Sequence, residues 1–277
     1  MGIINGTTNF ILTKMSDEGM EFDDALKLAT DLGYAEADPT SDIEGFDAGR
    51  KIAILASIAF NSRVTFSDVY TEGISKITSK DIRYAKELGC VIKLIATAKN
   101  TDEGIEVRVT PMLIPQSHPL SAVNDSFNAV FVHGDSLGDA MFYGRGAGEL
   151  PTASAIMGDV IDVCRNTSFN CNGRIGCTCY KNIAIKNMKD IETKYFVRTL
   201  LEDKPGTLAA VANTFSENFA SIDQMVQKTK LPGYAEVVFI IDNVQEKLFS
   251  RSIDKLSSMP YVKEISSIIR VYNDISQ

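Results

Sequence analysis

Asp47 and Lys51 are the residues whose types and spacing most directly suggest chemistry. They are four positions apart, so on a helix their side chains lie on one face, one above the other. Glu36 precedes them in a segment where Pro39 and Gly45 are expected to bend the chain. A lysine ammonium is protonated at neutral pH and can donate a proton, and carboxylates accept hydrogen bonds from an ammonium. Together these groups can bind a small zwitterion and move a proton.

A simpler interpretation of the same pair is structural. An acid and a lysine with this spacing commonly stabilise a helix, by about 0.2–0.5 kcal/mol. The run that follows, residues 52–60, is apolar on every side, and such a helix is expected to be buried. The polar first turn of that helix would then open onto solvent, a partner or a cleft.

The elements predicted to hold these groups are helices followed by strands. Apolar spacing and capping residues predict helices from Thr7 or Thr8 to about Met15, over 21–32, from the central loop to about 61, and over 79–88. Alternation then predicts strands over 90–98, 104–114, 127–132 and 140–143.

The second of these strands has a clear alternation. Val107 and Val109 alternate with Arg108 and Thr110, which predicts a sheet with one wetter face. Helices that precede an antiparallel-rich sheet predict an α+β domain.

A glycine-rich segment, residues 144–148, leads into a helix predicted from about Pro151 to Arg165. Closely spaced glycines before a helix N-terminus let the backbone approach a ligand, and the N-terminus favours anions. A plain strand-to-helix turn would have the same composition. The residues alone leave both interpretations open.

Composition and charge exclude several classes of function. The net charge of −8 argues against nucleic acid or an anionic membrane surface as a partner, and no apolar run is long enough for a membrane span. The odd number of cysteines, five, predicts reduced thiols and a cytoplasmic location. Cys171, Cys177 and Cys179 are clustered, but their spacing is not a zinc pattern, so no metal site is predicted.

A second unit begins near residue 194. Its predicted order, βαββαβ, is ferredoxin-like, and the turn 203–206 before an apolar helix resembles that of ACT domains, which often bind an amino acid. Many ACT domains have glycine where this chain has Ala220, and alanine disfavours a positive φ there. The resemblance therefore leaves open whether the unit binds a regulatory amino acid or only dimerises.

Three segments resemble motifs of homoserine dehydrogenases, in that family's order. They are residues 2–12, 33–51 and 144–155. The resemblance implies that Lys51 is the acid-base residue, with Asp47 beside it. The substrate contacts that it implies are Gly6, Thr7, Tyr34, Glu36 and Asp42. The cofactor contacts that it implies are Gly146, Gly148 and Glu149.

The same resemblance implies a reaction: reversible reduction of aspartate 4-semialdehyde to L-homoserine with NADP or NAD. In that family a nucleotide-binding domain precedes the motif at residues 2–12, and no glycine-rich phosphate loop is found near the start of this sequence. The expectation is that this domain is missing and that the chain alone is inactive. A homo-oligomer, dimer or tetramer, with threonine as a possible ligand of the ACT domain, is also implied.

The predicted organisation has three parts: a catalytic α+β domain over 1–165, a linker over 166–193 and an ACT domain over 194–277. One alternative is an amino-acid-sensing or dimerisation module without catalysis. Another is a lyase that uses Lys51 as a Schiff base, but the sequence offers no apolar setting that would favour the neutral amine.

Overall fold

A computed structural model of the protein describes residues 1–173 and 176–273. The helices are α1 (Gly6–Asp17), α2 (Phe22–Asp31), α3 (Thr40–Ile43), α4 (Phe46–Phe60), α5 (Ser79–Glu87), α6 (Glu149–Ser168), α7 (Thr207–Glu217) and α8 (Glu246–Ser257). The strands are β1 (Gly2–Ile3), β2 (Tyr70–Thr71), β3 (Cys90–Thr101), β4 (Gly104–Pro115), β5 (Phe127–Gly134), β6 (Gly138–Arg145), β7 (Glu192–Glu202), β8 (Ile222–Leu231), β9 (Tyr234–Gln245) and β10 (Val262–Val271). Helices combined with a mainly antiparallel sheet confirm the α+β prediction.

The first compact unit comprises Met1–Ser75, Leu94–Thr110 and Pro119–Ile185. Its strands follow the order β6-β5-β1-β3-β4, and β2 pairs with β4. The β5–β6 hairpin runs from the pair Phe127–Arg145 to the pair Gly134–Gly138. Gly2 pairs with Ala96 on one side and with Val130 on the other, so β1 is an interior strand directly before α1.

The second compact unit comprises Lys76–Lys93, Pro111–His118 and Lys186–Gln277. Its elements confirm the predicted βαββαβ order, with strands arranged β10-β7-β9-β8. Aromatic residues fill its core, where Tyr195, Phe215, Phe239 and Phe249 are buried. Helix α5 belongs to this unit and starts with a capping box, because Thr78 and Asp81 each accept the other's backbone N–H.

The residue with a left-handed backbone conformation before β8 is Phe219 rather than Ala220. Phe219 has φ of 59° and is 84% exposed. Ala220 is buried in the core and is not among the described residues with positive φ. Alanine at position 220 therefore imposes no backbone strain, and the argument from a positive φ does not apply at that position.

The cap of α1 also differs from the prediction. Thr7 and Thr8 lie inside the helix, and Asn5 is the N-cap, accepting the backbone N–H of Thr8 at 2.9 Å through its Oδ1. Asparagine is among the best N-cap residues because its short side chain reaches the free N–H groups of the first turn.

Helix α4 is buried on one face only, so the prediction that residues 52–60 are buried all round was wrong. Ile52, Ala53 and Ala56 are buried, whereas Ile54 and Ile58 are 60% and 62% exposed. The apolar run is a helix with one packed side, and apolar residues alone do not fix which sides are covered.

Strand β4 departs from its prediction in the opposite direction. Arg108 and Thr110, assigned to a wetter face, are buried together with Val107 and Val109. Alternation of residue type predicted the strand correctly, but both of its faces are covered.

Candidate active site

The side chain of Asn5 connects the start of α1 to two carboxylates. Its Oδ1 caps the helix, and its Nδ2 donates to Asp42 Oδ1 at 2.7 Å and to Asp47 Oδ2 at 2.9 Å. An amide nitrogen has two N–H donors, and both are used here. Asn5 is 5% exposed, so these hydrogen bonds are shielded from water and hold α1, α3 and α4 in a fixed arrangement.

Lys51 completes this cluster. Its Nζ lies 2.7 Å from Asp47 Oδ2 and 3.1 Å from the carbonyl oxygen of Ile4. An ammonium has three N–H donors, so one remains that no described residue accepts. The side chain is 45% exposed, and that third donor can reach a bound molecule. Asp47 accepts hydrogen bonds from both Asn5 and Lys51, and this holds the ammonium beside the Ile4 carbonyl, just after β1.

A close backbone contact positions the two aspartates. A Cβ at Gly73 would lie only 2.1 Å from the carbonyl oxygen of Ile43, so a side chain there would displace the residue after Asp42. Gly45 then enters α4 with φ of 79°, a left-handed conformation that favours glycine. These two glycines allow the α3–α4 turn to present Asp42 and Asp47 to the same asparagine.

Thr7 and Tyr34 meet through the backbone. The Thr7 hydroxyl donates to the carbonyl oxygen of Tyr34 at 2.7 Å. The Tyr34 ring packs on Phe10, with ring centroids 4.8 Å apart, and is 42% exposed. The loop that follows α2 is thereby attached to the first turn of α1.

The carboxylate of Glu36 is not part of the hydrogen-bonded cluster. It is exposed and makes no hydrogen bond or ion pair with the described residues. Glu36 follows Tyr34 by two residues, so the hydrogen bond from Thr7 to the Tyr34 carbonyl oxygen holds the backbone just before Glu36. The Glu36 carboxylate itself remains available to a ligand.

The glycine-rich segment approaches α1 through Asn128. A Cβ at Gly6 would lie 2.8 Å from the Ser126 carbonyl oxygen and 3.6 Å from Asn128 Oδ1. A Cβ at Gly146 would lie 1.9 Å from Asn128 Nδ2. The Asn128 amide therefore occupies the space next to both glycines, and its Oδ1 is buried without a hydrogen-bond partner among the described residues.

Gly148 and Glu149 begin α6. Gly148 is the N-cap, with φ of 120° and ψ of 157°, a conformation that residues with a Cβ rarely adopt. Glu149 is the first residue of the helix, two positions before the predicted start at Pro151. The α6 N-terminus is exposed, and its free N–H groups can receive an anion.

The model of the family described as homoserine dehydrogenase matches residues 1–161, and the ACT domain model matches residues 195–260. The chain belongs to the homoserine dehydrogenase family. The first match includes Asn5, Asp42, Asp47 and Lys51, as well as the glycines at 6, 146 and 148.

Individual homoserine dehydrogenases are similar along nearly the whole chain. The protein of Corynebacterium glutamicum is 46% identical over 280 residues, and that of Bacillus subtilis is 43% identical over 276 residues. The crystal structure of a homoserine dehydrogenase from Thiobacillus denitrificans superposes with a TM-score of 0.92 at 41% identity, covering 98% of this chain. A Staphylococcus aureus homoserine dehydrogenase gives a TM-score of 0.72 at 32% identity, covering 98% of this chain and 64% of that one.

The chain spans only part of these homoserine dehydrogenases. It covers 62% of the C. glutamicum protein, and 63% of the B. subtilis protein and of the T. denitrificans structure. Within the described residues, no helix is long and apolar enough to cross a membrane. The same residues contain no group of three or more His, Cys, Asp or Glu side chains placed to hold a metal ion.

Two residues of this site were not predicted from the sequence: Asn5 and Asn128. Asn5 lies in the first motif, and its preference for N-cap positions was a usable signal. Its contacts with Asp42 and Asp47 cross 37 and 42 residues, which no local pattern reveals. Asn128 lies in a predicted strand and had no signal of its own.

Proposed function

We propose that this chain supplies the substrate-binding and proton-transferring part of a homoserine dehydrogenase. The reaction is the reversible reduction of aspartate 4-semialdehyde to L-homoserine, a step in threonine, methionine and isoleucine biosynthesis. The observation that carries the proposal is the Lys51 ammonium, which Asp47 and the Ile4 carbonyl hold so that one N–H is left for a ligand.

Lys51 acts as the acid in the direction of reduction. When bound, a reduced nicotinamide, NADPH or NADH, would supply the hydride that the aldehyde carbon accepts. The carbonyl oxygen then develops negative charge and takes a proton from the Lys51 ammonium. In the reverse direction the neutral amine receives the proton of the homoserine hydroxyl. Asp47 keeps the amine oriented through both steps because it stays hydrogen-bonded to Asn5.

The remaining residues bind the amino-acid end of the substrate. Glu36 has an exposed carboxylate that can accept from the α-ammonium, and Asp42 adds negative potential. Gly6 and Thr7 offer the first-turn N–H groups of α1, where a carboxylate is favoured. The Tyr34 hydroxyl can donate or accept at the edge of the site.

Gly146, Gly148 and Glu149 fit a contact with the nicotinamide cofactor. The absence of a Cβ at Gly146 lets the Asn128 amide pack against its backbone, and Gly148 leads into the start of α6, which provides free N–H donors. We propose that most cofactor contacts lie outside this chain, because its homoserine dehydrogenase relatives are longer and the described residues include no glycine-rich βαβ unit.

We also propose a catalytic domain over 1–165, a linker over 166–193 and an ACT domain over 194–277. Threonine is the proposed ligand of the ACT domain, and a dimer or tetramer is the proposed assembly. A cytoplasmic location is proposed because all five cysteines are free thiols.

The decisive experiment is Lys51→Ala in the enzyme that contains this chain. Nicotinamide-linked turnover of L-homoserine should fall about 10²–10⁴-fold, the range expected for loss of a general acid-base group. The midpoint of thermal unfolding should hardly change, because the pair with Asp47 is worth about 0.2–0.5 kcal/mol. Lys27→Ala, on the exposed side of α2, is the matched control. Normal turnover in the Lys51 variant would remove the basis of the proposal.

The second candidate is a module that senses an amino acid without catalysis, which the ACT match favours. Isothermal titration calorimetry with threonine distinguishes the two functions. Under the sensing function, heat of binding is seen and is unaffected by Lys51→Ala, while no homoserine turnover is found in the enzyme that contains this chain. Turnover that depends on Lys51 supports the dehydrogenase, whether or not threonine binds.

A further inference from the structure

Asn128 lies in β5 between two segments of the candidate site. It pairs with Gly144 across the β5–β6 hairpin, and Gly146 follows Gly144 by two residues. A Cβ at Gly146 would lie 1.9 Å from Asn128 Nδ2 and 2.5 Å from its Cγ, so the amide packs directly on the Gly146 backbone. On the other side, a Cβ at Gly6 would lie 3.6 Å from Asn128 Oδ1. The amide therefore lies between the first residue of α1 and the glycine-rich segment.

The turn that precedes Asn128 is fixed to α1. Asn9 is 1% exposed, and its Nδ2 lies within 3.1 Å of three carbonyl oxygens in this turn, those of Val123, Asp125 and Phe127. Because these hydrogen bonds are shielded from water, they hold the start of β5 in one place relative to α1. The position of the Asn128 amide is thereby defined before any ligand binds.

The Asn128 amide makes no hydrogen bond with the described residues, 1–173 and 176–273. Its Oδ1 is buried beside Gly6, where the first peptide groups of α1 carry partial positive charge. That charge favours the carbonyl oxygen on the α1 side, so Nδ2 is turned towards Gly146. A buried carbonyl without a hydrogen bond reduces stability, and an apolar side chain of the same shape would avoid this cost. The amide therefore has a purpose other than stabilising the fold.

We propose that Asn128 is a cofactor-binding residue, whose Nδ2 donates a hydrogen bond to the carboxamide oxygen of the nicotinamide. This role rests on the proposed function and names one contact within it. The donor is on the Gly146 side of the amide, where the cofactor is proposed to bind, whereas the substrate carboxylate is proposed to bind the N–H groups of α1. A hydrogen bond to the carboxamide fixes the orientation of the ring relative to a substrate held at Lys51.

A thionicotinamide analogue of the cofactor tests this contact in the full-length enzyme. The analogue has sulfur in place of the carboxamide oxygen, and sulfur is a weaker acceptor. By isothermal titration calorimetry, the unmodified enzyme should bind the analogue about three- to tenfold more weakly than the oxidised cofactor, as expected for one hydrogen bond. Asn128→Leu should weaken binding of the cofactor by about the same factor, and it should bind the two dinucleotides equally.

Two further measurements distinguish this contact from a structural role. The midpoint of thermal unfolding of Asn128→Leu should be unchanged or higher, because an apolar group of similar shape replaces a buried carbonyl without a partner. Adenosine diphosphate ribose, which lacks the nicotinamide ring, should bind equally to the variant and the unmodified enzyme. Asn100→Leu, at an exposed position of β3, is the matched control and should alter none of these values.

If Asn128→Leu does not fold, Asn128→Asp replaces it in the same titrations. Aspartate keeps the shape of asparagine and loses the donor, so this variant should also bind the cofactor more weakly and fail to distinguish it from the analogue.

Three results would overturn the role of Asn128: unchanged affinity for the cofactor in the variant, preserved discrimination against the analogue, or an effect confined to the KM for L-homoserine. The last of these would place the donor on the substrate instead. Failure of the unmodified enzyme to bind a nicotinamide cofactor would overturn the proposed function, and this contact with it.

Discussion

At the scale of single residues, Asn5 links folding to chemistry. It caps α1 through its oxygen and holds Asp42 and Asp47 through its nitrogen. A capping residue normally satisfies only helix N–H groups. Here the other end of the same amide keeps two carboxylates from repelling each other, and one of them orients Lys51.

Asn5→Asp separates these two roles. Aspartate caps a helix as well as asparagine, so α1 should keep its first turn. The donor to Asp42 and Asp47 is lost and a third negative charge is added, which raises the proton affinity of the neighbouring carboxylates. The acid limb of the kcat/KM profile for L-homoserine should move to higher pH in the full-length enzyme. Asn5→Ser, which keeps a cap without adding charge, is the control; an unmoved limb in the aspartate variant would contradict this role.

Gly146 and Gly144 form a matched pair for testing the cofactor segment. A Cβ at Gly146 would overlap the Asn128 amide, whereas a Cβ at Gly144 meets nothing within 4 Å. Gly146→Ala should therefore displace Asn128 and raise the KM for the nicotinamide cofactor several-fold. Gly144→Ala should leave it near the original value. Steady-state kinetics of the two variants decide the matter, and equal KM values would argue against a cofactor contact at 146.

At the scale of elements, a buried ion network fixes α5 within the second unit. Arg198 Nε lies 2.8 Å from Asp81 Oδ1, and Arg198 Nη1 lies 3.2 Å from Glu236 Oε1. Two further side chains donate hydrogen bonds to the Glu236 carboxylate: the Tyr84 hydroxyl at 2.5 Å and the Lys80 ammonium at 3.1 Å. Burial acts to raise the pKa of Glu236, but the hydrogen bonds from Tyr84, Lys80 and Arg198 outweigh it and lower that pKa.

Glu236→Gln should destabilise the protein by about 3 kcal/mol at pH 7, because it leaves a buried arginine with fewer negative partners. The folded carboxylate has a lowered pKa, so its stabilisation is present above the unfolded value, about 4.3, and is lost as pH falls through the folded value. The difference in free energy of unfolding between Glu236→Gln and the unmodified protein should thus shrink below about pH 4.

Urea denaturation at several pH values measures this effect. Glu217→Gln is the control, since Glu217 pairs with Lys255 on the surface and such pairs contribute about 0–1 kcal/mol. A stability difference between Glu236→Gln and the unmodified protein that stays constant down to pH 3 would rule out the charge of Glu236 as its origin.

At the scale of the whole molecule, local sequence patterns predicted the helices and strands more accurately than they predicted which side chains are buried. The turn at 203–206 and the alternating strands fixed the βαββαβ order of the second unit. Residue type did not reveal that Arg108 is buried or that Ile58 is exposed. The burial of a side chain depends on which residues, distant in the sequence, pack against it. The site followed the same rule: Asp47 and Lys51 are neighbours on one helix, whereas Asn5 reaches them across some forty residues.

We propose that the 277-residue chain has no turnover by itself. The chain covers about 63% of its relatives' length, and we propose that most cofactor contacts lie outside it. Purified alone, it should show no nicotinamide-linked oxidation of L-homoserine above background. Absorbance of the reduced nicotinamide measures this, with the full-length enzyme assayed in parallel. Full activity of the chain alone would mean that its own residues bind the cofactor.

Helix α6 has a consequence for motion. None of its twenty residues is buried, and Leu150 and Ile156 are 79% and 58% exposed. A helix of this length without packing is only marginally favoured in water, because nucleation is costly and propagation adds little per residue. In this chain its amide hydrogens should exchange with deuterium well before those of α1, whose residues are largely buried.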